Sequence, residues 1–256
     1  MAENLFFKVT GQGIPLVCLH AFPLDHTVWN TVADILRSLV MVILPDLRGH
    51  GASPSPGGKY SMREMGEDVI AVLDSLKIEE AFIAGQSLGG YVALAIAKYY
   101  PEKLSGLALV ASHAFADSPE KKKSRLEDIR KVRVNGPKKV LAGMPKKLSK
   151  HPEIQKYCQE KIDHMDNNGV KGVLAGMAER EESVNLLQSW NKPVGIIAGK
   201  DDQYISIETN RQMAEMIKPS VYFELENCGH MPMMENPEKV AQALISLLFK
   251  SKEIHL

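Results

Sequence analysis

Apolar residues fall into two alternating rhythms along most of this chain. Short continuous runs at Pro15 to Leu19, Met41 to Leu44, Ala81 to Ala84, Leu107 to Val110 and Val194 to Ala198 have the length of buried parallel strands, and Val221 to Leu225, which includes Glu224, reads as a further strand. Leu5 to Thr10 reads as an edge strand, turned by Gly11-Gln12-Gly13. Between the runs, apolar residues return at helical spacing: Val28, Val32, Ile35, Leu36 and Leu39; then Met65, Val69, Val72, Leu73 and Leu76; then Val92, Ala95, Ile96 and Tyr99. Ser61 and Glu64 make a capping box before the second set, and Pro101 stops the third. Two later helices are expected around Ile207 to Ile217 and Val240 to Phe249.

Strand and helix alternation of this kind predicts an α/β fold, a mostly parallel sheet with helices on both faces. Residues 117–189 break the rhythm. They contain no good strand, are rich in lysine and glutamate, and carry helical spacing at Leu126, Ile129 and Val132. Pro119, Pro137, Pro145 and Pro152, with Gly136, Gly169 and Gly176, divide them into about four short helices. The expected organisation is a core domain of residues 1–116 and 190–256, with 117–189 inserted as a helical cap. Such a cap belongs over the carboxyl ends of the strands, where open α/β sheets bind ligands.

Composition narrows the function classes. A chain of 256 residues, 45% hydrophobic, can bury a full core in one α/β domain with a small insertion. Lysine plus arginine equals aspartate plus glutamate at 31 each, so nothing draws the protein to nucleic acid or an anionic membrane. The basic run Lys121-Lys122-Lys123-Ser124-Arg125 has acidic neighbours in Glu120, Glu127 and Asp128, and reads as a solvated helix face. Cys18, Cys158 and Cys228 are odd in number and far apart. They suggest no metal site and no disulfide framework, and suit a reducing compartment. With no basic start, signal-like apolar run or bilayer-spanning stretch, a cytoplasmic protein is expected. His26, His113, His151, His164 and His255 show no metal-ligand spacing. A homo-oligomer is compatible with the sequence but not legible in it.

The chemistry gathers at Gly85-Gln86-Ser87-Leu88-Gly89-Gly90, between an apolar run and a helix. A serine there, with glycine two residues before and two after, has the pattern of a nucleophile elbow. The turn strains the serine backbone, and side chains at 85 or 89 would strike the adjoining strand or helix. The helix N-terminus beneath Ser87 favours developing negative charge. A serine hydroxyl needs a base, and a base needs an acid to fix its tautomer. His230, in the loop after the last strand, is the candidate base. The acid lies in Gly199-Lys200-Asp201-Asp202-Gln203, after the strand Val194 to Ala198. The chain order is serine, acid, histidine. If neither aspartate of that turn served, Asp117 would be the next candidate.

On these stretches, together with His20-Ala21-Phe22-Pro23, Asp46-Leu47-Arg48-Gly49-His50-Gly51 and Gly229-His230-Met231, the chain resembles the α/β-hydrolase fold superfamily over nearly its whole length. Within it, the resemblance is to small capped esterases, enol-lactonases and cofactor-free haloperoxidases. The resemblance places the acid three residues after Gly199, at Asp202; Asp201 has a ready role of its own, accepting backbone N–H groups in the turn as aspartates often do. The resemblance implies an oxyanion hole made by the backbone N–H groups of Phe22 and Leu88, with His20 supporting the loop; His50, in its own glycine loop, is expected to brace that loop. Ala21 departs from the glycine usual in relatives, which bears on the mouth of the hole. Serine at 87 argues against dehalogenase or epoxide-hydrolase chemistry, whose enzymes have aspartate there. The implied function is hydrolysis of a small carboxylic ester, thioester or lactone through an acyl-enzyme on Ser87, with no cofactor. Two alternatives stay open: carbon–carbon bond hydrolysis of a diketone by the same triad, and a non-enzymatic small-ligand sensor whose cap meets a protein partner.

Overall fold

The computed structural model describes residues 2–249; His255 lies outside them. Seven strands form one sheet: β1 (Phe7–Thr10), β2 (Ile14–Leu19), β3 (Val40–Pro45), β4 (Ala81–Gln86), β5 (Leu104–Val110), β6 (Val194–Gly199) and β7 (Val221–Leu225). Their order is β1-β3-β2-β4-β5-β6-β7. Only β1 pairs antiparallel, against β3; every other pairing is parallel. The α/β fold expected from the alternating rhythm is the fold observed. From β2 the chain moves outward to β3, then crosses back to place β4 on the other side of β2. The strand order therefore reverses between β2 and β4, and open α/β sheets hold ligands at the carboxyl end of such a reversal. Leu19 is registered with Gly85 there, so the loop at His20 and the turn at Ser87 leave the sheet side by side.

Helices cover both faces. They are α1 (Asn30–Leu36), α2 (Met62–Ser75), α3 (Leu88–Tyr99), α9 (Ile207–Met216) and α11 (Pro237–Phe249), with the short α10 (Pro232–Glu235) before the last. The Ser61–Glu64 capping box forms: the Ser61 hydroxyl accepts the Glu64 N–H at 3.2 Å, and the Glu64 carboxylate accepts the Ser61 N–H at 2.9 Å. Two apolar clusters result, one on each face. The first joins β2, β4 and β5 to α2 and α3; the second joins β2 and β3 to α1 and α11.

Residues 119–188 are helical, as expected, but as five segments: α4 (Pro119–Leu141), α5 (Met144–Leu148), α6 (Pro152–Asp163), α7 (Asn167–Glu179) and α8 (Val184–Gln188). Pro119, Pro145 and Pro152 each open a helix, where their missing N–H costs nothing. Gly136, at φ 75°, kinks α4 just before Pro137. Gly169 and Gly176 break nothing. Both lie inside α7 and share a face with Gly172 that presses onto the core. A Cβ at Gly172 would sit 2.7 Å from the Tyr60 ring, and one at Gly176 would collide with the Tyr60 carbonyl. The Tyr60 N–H, in turn, donates to the Gly172 carbonyl at 3.0 Å. Val170, Val173, Leu174 and Met177 of α7 join the same apolar cluster as the sheet. No helix of the described residues is long and apolar enough to cross a membrane.

Candidate active site

Ser87 follows β4 and precedes the first residue of α3. Its backbone lies at φ 47°, ψ −107°, a conformation that costs a non-glycine residue on the order of 1–3 kcal/mol. The surroundings hold it there. Its N–H donates to Val110 at 3.0 Å and its carbonyl accepts the Ser112 hydroxyl at 2.8 Å. The glycines do what the turn requires: a Cβ on Gly85 would strike the backbone of Gly89 and Gly90, and one on Gly89 would lie 2.5 Å from the Leu19 carbonyl. As the first residue of α3, Leu88 leaves its N–H without an intrahelical acceptor. Among the described residues, neither that N–H nor the Phe22 N–H donates to a protein group.

The loop after β2 is fixed by side chains. His20 is fully buried, donates from Nδ1 to the Ala21 carbonyl at 2.9 Å and accepts the Leu47 N–H on Nε2 at 2.9 Å. Acceptance on Nε2 requires the neutral ring, and burial lowers the His20 pKa accordingly. His50 donates from Nδ1 to the Arg48 carbonyl at 3.1 Å, and burial takes its pKa down to about 3. These are the bracing roles expected for the two histidines. Ala21, the departure from glycine, is fully buried and is not among the described residues with positive φ, so alanine fits there without strain.

One bridging residue escaped the sequence reading. Gln86, fully buried at the end of β4, accepts the Ala21 N–H at 3.2 Å and donates to the His230 carbonyl at 2.8 Å. It ties the loop at Phe22 to the loop at His230 across the base of the turn. Its only signal in sequence is an amide where an apolar strand would otherwise end.

His230 and Asp202 meet. The His230 Nδ1 donates to Asp202 Oδ2 at 2.8 Å, and both side chains are almost wholly buried. The other oxygen, Oδ1, accepts the N–H groups of Tyr204 at 2.7 Å and Ile205 at 3.0 Å. The expected assignment for Asp201 is wrong in detail. Its carboxylate accepts no turn N–H; it points outward, half exposed, to Lys150 at 2.7 Å. The turn-capping role falls to Asp202 itself, which spends one oxygen on the turn and one on the histidine. Asp117 does not reach His230. It is buried between Arg125 and Arg180, with N–O distances of 2.5 Å to each. Burial alone would raise its pKa, but the Arg125 hydrogen bond and both guanidinium charges hold it below the ordinary carboxylate range.

A cavity of about 290 Å³ brings Ser87, His230 and Phe22 together, with Tyr204, Met144, Leu148 and Met177 around them. Tyr91 and His113 also face a second cavity of about 180 Å³, whose lining includes neither Ser87 nor His230. The expectation for the basic run needs correcting here. Lys121 and Arg125 line the first cavity, so this part of α4 is not simply a solvated face. The three cysteines are free and buried, and burial raises Cys158 to about 12 and Cys228 to about 11, which keeps both thiols protonated. Asp25, His26 and Asp46 bring potential ligand atoms within 4.8 Å of one another. Apart from His26 Nε2, which has no partner among the described residues, these atoms are already engaged. Asp46 accepts His26 N–H, His26 Nδ1 and Ala52 N–H, while Asp25 takes Thr27 and Lys161, so the group serves to pin the chain after Phe22.

The strand order, its single antiparallel edge and a serine at a left-handed turn between β4 and α3 define an α/β-hydrolase. The chain belongs to that family: the family model described as alpha/beta hydrolase fold matches residues 14–237, and the protein is a hydrolase. A thermophilic esterase from Thermogutta terrifontis is 35% identical, with 96% of this chain and 93% of that one superposed at a TM-score of 0.92. The AB hydrolase superfamily protein YisY of Bacillus subtilis is 27% identical over 93% of this chain and 92% of its own. The 3-oxoadipate enol-lactonase 2 of Acinetobacter baylyi is 26% identical over 91% and 88%.

Proposed function

We propose that this hydrolase cleaves a small carboxylic ester, thioester or lactone through an acyl-enzyme on Ser87. The observation that carries the reading is the 2.8 Å bond from His230 Nδ1 to buried Asp202, beside the cavity that Ser87 also lines. With its Nδ1 proton committed to Asp202, the ring presents Nε2 as its basic nitrogen. His230 takes the Ser87 proton as the hydroxyl attacks the carbonyl carbon. The oxyanion of the tetrahedral intermediate is held by the Phe22 and Leu88 N–H groups, and the N-terminus of α3 adds to their field. His230 then returns the proton to the leaving oxygen or sulfur. Water, deprotonated by the same histidine, releases the acid. Every step uses groups of this chain and water, and no cofactor is assigned.

Residues 117–189 act in this reading as the cap. Met144, Leu148 and Met177 supply apolar wall to the cavity from that block. A cytoplasmic setting suits three free, buried cysteines.

The test is labelling by a fluorophosphonate probe, with the adduct mapped by mass spectrometry, alongside turnover of an ester and lactone panel. Label on the Ser87 peptide, and a loss of turnover of roughly 10⁴-fold or more in a folded Ser87→Ala variant, are the expected results. Near-normal turnover by that variant would end the acyl-enzyme reading.

A further inference from the structure

The cavity beside Ser87 has a charged wall that the chemistry at Ser87 does not use. Lys121 and Arg125 stand one turn apart on α4, and both line it. Asp117 is the one carboxylate in the lining, and it is already shared between Arg125 and Arg180. Two cations of the lining therefore stand beside one anion, which Arg180, outside the lining, also helps to neutralise. Arg125 spends Nε and Nη2 on Asp117, which leaves the Nη1 hydrogens for another acceptor. Among the described residues, no carboxylate lies within 4.0 Å of Lys121. Lys121 is exposed overall, yet loss of water around its ammonium group and the adjacent Arg125 charge lower its pKa. A cation so placed gains from an incoming anion. Other parts of the wall, at Met144, Leu148 and Ile205, are apolar and suit a hydrocarbon spacer. The volume, about 290 Å³, holds on the order of ten waters' worth of ligand.

We propose that this wall is a carboxylate subsite: the substrate is an ester or lactone that carries a free carboxylate, seated between Lys121 and Arg125 while its reacting carbonyl lies at Ser87. The position of the carbonyl at Ser87 rests on the acyl-enzyme reading, and the carboxylate seat on the wall alone.

Two measurements separate the halves. The first compares kcat/KM for the monoethyl ester of adipic acid with that for the same ester ending in a carboxamide. The acid ester should be preferred about tenfold or more at low salt, and the preference should shrink as salt is added. In Lys121→Gln the acid-to-amide ratio should fall about tenfold, and in Lys121→Glu it should invert. Lys121 is the chosen position because Arg125 also holds Asp117 and its removal would unsettle the fold. The second measurement is calorimetric titration of the folded Ser87→Ala variant with adipate, which needs no turnover. Binding should weaken about tenfold when Lys121→Gln is added. Turnover of both esters with no charge preference, or a ratio unmoved by Lys121→Gln, overturns the subsite and leaves the acyl-enzyme reading standing. Adipate binding that depends on Lys121, without turnover of either ester or label on Ser87, supports the subsite and counts against that reading. No adipate binding at millimolar concentration overturns the subsite.

Discussion

At the scale of single residues, the candidate site depends on which of two adjacent aspartates meets His230. Asp202 turns inward and divides its oxygens between His230 and two turn N–H groups, while Asp201 faces Lys150 outside. Replacing Asp202 with asparagine removes the charge that stabilises the imidazolium and lets the wrong tautomer form. The expected loss of ester turnover is roughly 10³–10⁴-fold for Asp202→Asn and about tenfold at most for Asp201→Asn. Steady-state rates of the two variants decide it; a larger loss at Asp201 would contradict the assignment. Residue types and spacing brought Ser87, His230 and the aspartate pair forward as candidates in the sequence, because the proposed roles of nucleophile, base and acid need particular side chains at the ends of particular strands. The use of each carboxylate oxygen was not legible, since it follows from backbone turns that spacing does not encode. Gln86 was missed for the same reason. Its two partners, Ala21 and His230, are distant in sequence and meet only once the sheet has formed.

At the scale of elements, the strands and the capped helix α2 followed from apolar runs and from the Ser61–Glu64 box, both local signals. Among the glycines of residues 117–189, Gly136 interrupts its helix as expected, but Gly169 and Gly176 did not read correctly. A glycine in a helical stretch is either a breaker or a place where another surface comes close, and composition alone does not distinguish the two. In α7 the second case holds, because Gly172 and Gly176 admit Tyr60. Gly176→Ala should therefore destabilise the protein by about 1–3 kcal/mol through overpacking, despite alanine's better helix propensity. Gly143→Ala is the control: its φ of −84° is ordinary and an added Cβ meets nothing within 4 Å, so the cost should stay below about 1 kcal/mol. Urea denaturation midpoints measure both. Equal effects at the two positions would show that contact with Tyr60 is not what sets the cost. The basic run on α4 belongs here too. Periodicity named the helix, but it could not say that the turn holding Lys121 and Arg125 borders a cavity.

For the whole molecule, the buried histidines set the response to acid. Burial is the leading cause that lowers the pKa of His20, of His50 to about 3 and of His113 to about 4. In the unfolded chain each returns to about 6.5 and takes up a proton that the folded state refuses. Their contribution is thus present in full above about pH 6.5 and is lost as pH falls toward 4 and then 3, at roughly 1.4 kcal/mol per pH unit for each neutral histidine. The lowered Asp25, near 2, and Asp117 add a further loss only below the ordinary aspartate range. Stability from urea melts at a series of pH values should begin to fall near pH 6.5. A plateau extending down to pH 4.5 would show that these rings take up protons in the folded state.

The His230 N–H donates to the Leu148 carbonyl at 3.1 Å, and Glu235 joins the Gly229 N–H to the Ser149 hydroxyl, each at 2.5 Å. The backbone of the proposed base thus hangs from the end of α5, within the block that shapes the cavity. Substrate range and proton transfer cannot then drift independently over evolutionary time. A chimera that receives the 117–189 segment of a relative would import a new pocket and, with it, a new hinge for the histidine. Such grafts should lose turnover even on the smallest esters, and recover it when residues 144–151 of this chain are restored within them. Rates on a two-carbon acyl ester for both grafts measure the effect, and equal rates would show that the histidine loop stands without that support.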